Sequence, residues 1–316
     1  MKNIINLLFL IQILIFVSHI DCLSLTNEKY ASCLSKSMYP PQSNQFNQNI
    51  SSFVNEGSAI MINDKRIELK KLNLNETFLS AEAVLTNILF KIDHIYIICL
   101  KNCKTKIVPS KWRNKVSMVD GKKSDECLGL SDKSHWDKVT ASHKICVVDG
   151  ITKKYNRIAI LEGDFSFYGK PDWSIKTYKE MEKSFLTQNK IMYRFGYYAT
   201  PQILDKQYNS RCNTGCLCTS VTSTLCNLPG KCYLHSSTGY VISSNDYDKF
   251  IKVGGAIDGS VLAAFNQTLF IPSLVRQRGY GEDTGEKKFI KYCKSRMTPH
   301  RIGSSDQWHS RFEIPI

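Results

Sequence analysis

The sequence predicts an α/β fold with a mostly parallel central sheet covered by helices, an expectation carried by three segments. His94-Ile95-Tyr96-Ile97-Ile98-Cys99-Leu100 and Arg157-Ile158-Ala159-Ile160-Leu161 are near-continuous apolar runs rich in β-branched residues. Such runs lack the polar alternation of a half-exposed strand and mark strands buried on both faces. Between them, Ser134 to Gly150 has helical periodicity, with Gly150 placed to cap the C-terminus. Strand, helix, strand in that order is the unit from which Rossmann-like sheets are assembled.

At the N-terminus, Lys2 precedes an apolar run from Ile4 to Val17 that Ser18, His19, Asp21 and Cys22 bring to an end. A basic residue ahead of a short apolar segment is the layout of a signal peptide, so residues 1–22 are expected to be removed. The run is shorter than the ~20 residues of a spanning helix; the competing reading is an uncleaved signal-anchor, the one route by which this chain would stay on a membrane. Three sequons, at Asn49, Asn75 and Asn266, and twelve cysteines agree with an oxidising lumen, whether ER, Golgi or outside the cell. If Cys22 leaves with the signal, an odd number of thiols remains. The chain closes on Glu313-Ile314-Pro315-Ile316, without an ER-retention tetrapeptide.

Residues 23–92 read as a stem or N-terminal extension. Its first part, 23–57, is polar, broken by Pro40-Pro41 and tied down through Cys33. Ile60 to Ile62 and Arg66 to Leu69, around Asn63-Asp64, form a hairpin pattern. Ser80 to Lys91 reads as a helix with a broad apolar face (Ala81, Ala83, Val84, Leu85, Ile88, Leu89). The main domain is expected over 93–295 and a tail over 296–316. Net charge of +14 calls for an acidic partner such as a phosphorylated donor, an anionic glycan or a membrane surface. The lumenal address argues against nucleic acid. Hydrophobic residues at 42% and aromatic residues at 11% are enough for a packed core, which sets aside a disordered chain.

Chemistry enters where the second strand ends in Glu162-Gly163-Asp164. In open α/β sheets ligands bind at the carboxyl ends of the strands. Two carboxylates there can hold Mn²⁺ or Mg²⁺, which in turn neutralises a diphosphate. The same residues also serve as ordinary strand-end anchors. Five cysteines, Cys212, Cys216, Cys218, Cys226 and Cys232, interrupt the α/β rhythm with three, one, seven and five residues between them. Those spacings fit no standard zinc pattern. Disulfides that staple an inserted loop are the expectation.

Seven short pieces then occur in order: Ile97-Ile98-Cys99-Leu100, Val119-Asp120-Gly121, Ser142-His143, Ile160 to Asp164, Gly239-Tyr240-Val241-Ile242-Ser243, Ile257-Asp258, and Pro272 to Gln277. Together they resemble glycosyltransferase family 25, the lipooligosaccharide and collagen galactosyltransferases, over about residues 93 to 280. The resemblance implies a GT-A fold, a UDP-sugar donor, Mn²⁺ and inverting transfer of a hexose, galactose or glucose, to a glycan or glycoprotein hydroxyl. It implies Glu162 and Asp164 at the metal, and Asp120, Ser142, His143 and Lys101 near the donor. The general base that inversion requires is assigned to Asp258, with Glu282 and Asp283 as competitors. Each has a plainer reading: a strand-end anchor for Glu162, a turn for Asp120-Gly121, a core histidine for His143, a solvated cation for Lys101. The chain departs from the family pattern at Cys99, where asparagine is usual; at Lys101 to Lys104, where arginine is usual; and at Gly163, where a middle acid is usual. Such departures leave a catalytically inactive binding protein on the same scaffold as the alternative, and a disulfide-stapled interaction protein as a third reading.

Overall fold

A computed structural model describes residues 27–42, 46–47, 55–56, 59–62, 65–68, 78–99, 106–167, 173–188, 192–198, 209–210, 213–214, 219–222, 225–232, 234–270 and 273–277. The helices used below are α1 (Asn27–Ser37), α2 (Ala81–Phe90), α3 (Gly121–Leu128), α4 (His135–Thr152), α5 (Ile175–Thr187) and α6 (Tyr247–Lys252). The strands are β1 (Met38–Tyr39), β2 (His94–Cys99), β3 (Val116–Asp120), β4 (Arg157–Glu162), β5 (Met192–Tyr198), β6 (Thr219–Thr222), β7 (Leu225–Leu228), β8 (His235–Ser243) and β9 (Gln267–Phe270).

These strands lie in one sheet in the order β1-β3-β2-β4-β8-β5-β9-β7-β6. β3, β2 and β4 run parallel, as the strand-helix-strand pattern requires. β8 then returns antiparallel to both β4 and β5. The expected mostly parallel sheet is therefore mixed. A strand buried on both faces reads as the same apolar run in either direction, so periodicity carries no sign of this reversal.

The pleat sends alternate side chains of the central strands into two cores. Ile95, Ile97, Ala159 and Leu161 pack with α2 and α5 on one face, whereas Tyr96, Ile98, Ile158 and Ile160 pack with α4 and α6 on the other. Helices α2, α4 and α5 start alike. Ser80, Ser134 and Ser174 each accept a backbone N–H three residues on, which satisfies one of the orphan donors of the first turn. Gly150 is not a cap: α4 runs on to Thr152, and the glycine faces Ile158 and Tyr247, with a Cβ there only 3.3–3.4 Å from their side chains. The hairpin forms as expected, with Ile62 opposite Lys65.

The boundary at residue 93 does not mark a change in packing. Tyr30 and Cys33 of α1 are buried against Leu128, Leu130, Ala141, Ile145 and Val148 of the α3–α4 region. A disulfide joins Cys33 to Cys127, with Cα atoms 5.8 Å apart. β1 adds itself to the edge of the sheet beside β3. At these residues the expected stem is part of the domain, because α1 buries an apolar stripe and a cystine that a free extension would leave in water. Among the described residues no helix is long and apolar enough to cross a membrane.

Candidate functional site

The chain leaves β2 for β3 on one side and later places β4 on the other. The carboxyl ends of these three strands therefore surround a topological switch point, the place where open α/β sheets accept ligands. In register, Cys99 stands opposite Asp120 and Ile98 opposite Glu162, so the two acids flank the end of β2. Asp164 follows in an exposed turn, which the Gly163 N–H fastens to the Ile98 carbonyl at 2.6 Å.

Asp120 is the N-cap of α3. Its carboxylate accepts from the Lys123 N–H at 3.1 Å, and its carbonyl accepts from the Ser124 hydroxyl at 3.0 Å. The Asp-Gly pair is thus a strand-to-helix junction, and the carboxylate is partly committed to it.

Glu162 sits in a buried polar network on the α4 side of the sheet. Its Oε1 accepts from the Ser237 hydroxyl and lies 3.6 Å from His143 Nε2. Burial alone would push the Glu162 carboxyl up. His143, Ser237 and the charge of Arg194 outweigh that and hold it below the usual carboxylate range. His143 is fully buried and stacks on Tyr240, with Nδ1 2.8 Å from the tyrosine hydroxyl. Ser142 is fully buried as well.

Arg194, on β5, is the centre of charge. It has no exposed surface and donates to Gln267 Oε1 at 3.1 Å and to the Ser236 carbonyl. Burial draws the guanidinium down to about 10 against the negative charges of Asp258 and Glu162, which favour its charged form. Asp258 lies in a π-helical turn, Ile257–Val261, and is nearly buried. Such turns are frequent at functional sites. The structure so brings Glu162, His143 and Asp258 into one network around a cation. Arg194, Ser237, Tyr240 and Gln267 complete it and were not singled out from the sequence. The available signal was Arg194 itself, a lone cation inside the apolar run Met192 to Tyr198.

The two departures at the strand ends touch each other. A Cβ at Gly163 would fall 2.9 Å from the Ile98 carbonyl oxygen and 3.3 Å from Cys99 Sγ, so the turn as built excludes an acid there. Cys99 is disulfide-bonded, as are the buried Cys226 and Cys232. Among the described residues no group of three or more His, Cys, Asp or Glu side chains converges that could hold a metal ion.

Asn266 is exposed, and its Oδ1 accepts from the Gly230 N–H at 2.8 Å. Residues 1–22, Asn49, Asn75, Lys101, Cys212, Cys216, Cys218, Glu282, Asp283 and the tail 296–316 lie outside the described residues. In comparisons with known proteins the chain matches no family model, and no curated protein matches it.

Proposed function

We propose that this protein is a GT-A-type glycosyltransferase of the secretory lumen that moves galactose or glucose from a UDP-sugar to a glycan or glycoprotein hydroxyl. The observation that carries this reading is the placement of Asp120 and Glu162 at the carboxyl ends of β3 and β4, with Asp164 in the turn that follows, around a switch point. Asp164, in the exposed turn, is the carboxylate best placed for a metal-bridged diphosphate. Glu162 contributes negative charge more than a ligand oxygen, since Ser237 and His143 already engage its Oε1. A bound Mn²⁺ or Mg²⁺ would neutralise the charge that develops on the departing UDP. Asp258 is nearly buried, and its negative charge favours the charged form of Arg194. Asp258 is the candidate general base, with Glu282 and Asp283 as competitors.

A second reading, a nucleotide-binding protein without turnover, draws on the Gly163 turn and on the engagement of Glu162. Calorimetric titration of UDP in Mn²⁺, in EDTA and with Asp164→Ala separates the possibilities. Metal-dependent binding that Asp164→Ala abolishes, together with release of UDP from UDP-galactose or UDP-glucose, is the expected result. Binding without turnover selects the second reading. No binding of UDP in any condition removes both.

A further inference from the structure

Asn266-Gln267-Thr268 is a sequon with no part in the candidate donor site. Asn266 precedes β9 and is exposed, whereas Gln267 and Thr268 inside the strand are fully buried. β9 runs parallel to β5, and β8 runs antiparallel to both β5 and β4. β9 therefore starts at the amino edge of the sheet. Asn266 stands on the opposite edge from Glu162 and Asp164.

The turn that carries it is held from several sides. The Lys231 N–H donates to the Ala263 carbonyl at 2.5 Å, and Lys249 Nζ donates to the Ala264 carbonyl at 2.6 Å. The Gly230 N–H donates to Asn266 Oδ1 at 2.8 Å. Only the oxygen of a side-chain amide accepts a backbone N–H, so this bond fixes which way the amide faces. Oδ1 is turned to Gly230, and Nδ2 has no acceptor among the described residues. A group attached at Nδ2 leaves Oδ1 an amide oxygen, so the bond from Gly230 survives the attachment.

We infer that Asn266 carries an N-linked oligosaccharide. In the attachment, Nδ2 bonds to the anomeric carbon of an oligosaccharide carried on a lipid diphosphate. The bond from that carbon to the diphosphate oxygen breaks, the lipid diphosphate leaves with the electron pair, and Nδ2 gives up one proton. The exposed turn accommodates a bulky, solvated group. The Thr268 hydroxyl is buried and donates to Asn227 Oδ1 at 2.6 Å, so in the folded chain it is closed to an enzyme that reads the sequon. Attachment therefore precedes the entry of β9 into the sheet. The finished glycan projects from the amino edge and leaves the carboxyl ends of β3 and β4 open. Attachment needs only the lumenal address, whatever the donor site binds.

The test is expression of the full chain in cultured animal cells, then treatment with peptide N-glycosidase in heavy-oxygen water. That enzyme converts each glycan-bearing asparagine to a labelled aspartate, which mass spectrometry reads. The tryptic peptide from Val253 to Arg276 contains no other asparagine. Label on this peptide in most molecules is expected, kept in Thr268→Ser and lost in Thr268→Val. An unlabelled Asn266 beside a labelled Asn49 or Asn75 overturns the proposal and leaves the lumenal address standing. Three unlabelled asparagines overturn both. Label that persists in Thr268→Val overturns the proposal as well, since the sequon would not direct attachment. Should Thr268→Val fail to accumulate, Asn266→Asp, which keeps an acceptor for Gly230, decides by gel mobility: loss of one glycan supports the proposal, and an unchanged mobility overturns it.

Discussion

At the carboxyl end of the sheet, Asp258, Arg194 and His143 are buried and Glu162 is partly so, with Tyr240, Gln267 and Ser237 hydrogen-bonded to His143, Arg194 and Glu162 in turn. At the amino end, Lys153, Lys154 and Lys183 stand in solvent beside Phe90, Ile151 and Leu186. The first arrangement takes charges out of water and must balance them internally, since the desolvation cost is recovered only through mutual pairing. The second leaves charges hydrated, so they contribute almost nothing to the fold and are available to an outside partner. One edge is tied together by hydrogen bonds between residues distant in sequence; the other is chemically open.

The sharpest way to break that contrast is to remove its central cation. Arg194→Met leaves Glu162 and Asp258 uncompensated in the interior, and loss of one partner from a buried charge cluster costs about 3–5 kcal/mol. Urea unfolding of the variant measures it; a cost under about 1 kcal/mol would mean that the network is not interlocked.

The amino end also carries a partly buried histidine. His94 opens β2, stacks on Tyr155 at 5.0 Å and lies 2.9 Å from the Ser117 hydroxyl. Burial lowers its pKa from 6.5 to about 4, so between those values the unfolded chain binds more protons than the folded one. Its stabilising contribution is whole above about pH 6.5 and is lost as the pH falls through about 4, amounting to as much as ~3 kcal/mol. Urea midpoints across that range, for wild type and His94→Gln, check this; the variant should show a flatter profile.

Gly163→Ala tests how tightly the acid-bearing turn is held. Its Cβ would sit 2.9 Å from a backbone oxygen that cannot swing aside, so a cost of about 1–3 kcal/mol is expected in thermal or urea unfolding. No measurable change would show the turn to be slack and would reopen that position to an acid. The smallest effect is expected at the open edge: Lys153→Glu and Lys183→Glu should each leave stability within about 0.5 kcal/mol of wild type in the same assay. A larger loss would place these lysines in the fold's own electrostatics and erase the contrast.

Much of the frame was legible in the sequence. Ser80 and Ser134 mark helix starts because a side-chain oxygen ahead of an apolar periodic run has a backbone donor to satisfy, and both do so. The runs at His94 and Arg157 read as doubly buried strands and form neighbouring parallel strands. The site was legible only in part. Glu162 was found because strand ends are local features, but its partners Arg194 and Ser237 lie 32 and 75 residues away. No short motif connects residues that far apart.

The sequence by itself marked the helices begun at Ser80 and Ser134 and the strands at His94 and Arg157, since hydrophobic period and capping chemistry act over a few residues. It also placed two acids at the end of a buried strand. Only tertiary structure decided that β8 runs backwards, that α1 belongs to the domain through Cys33 and Cys127, and that Glu162 is gripped by Ser237 and His143. Those outcomes turn on which distant surfaces meet in space. They depend on strand direction, sheet order and the balance of buried charge, none of which leaves a periodic trace along the chain.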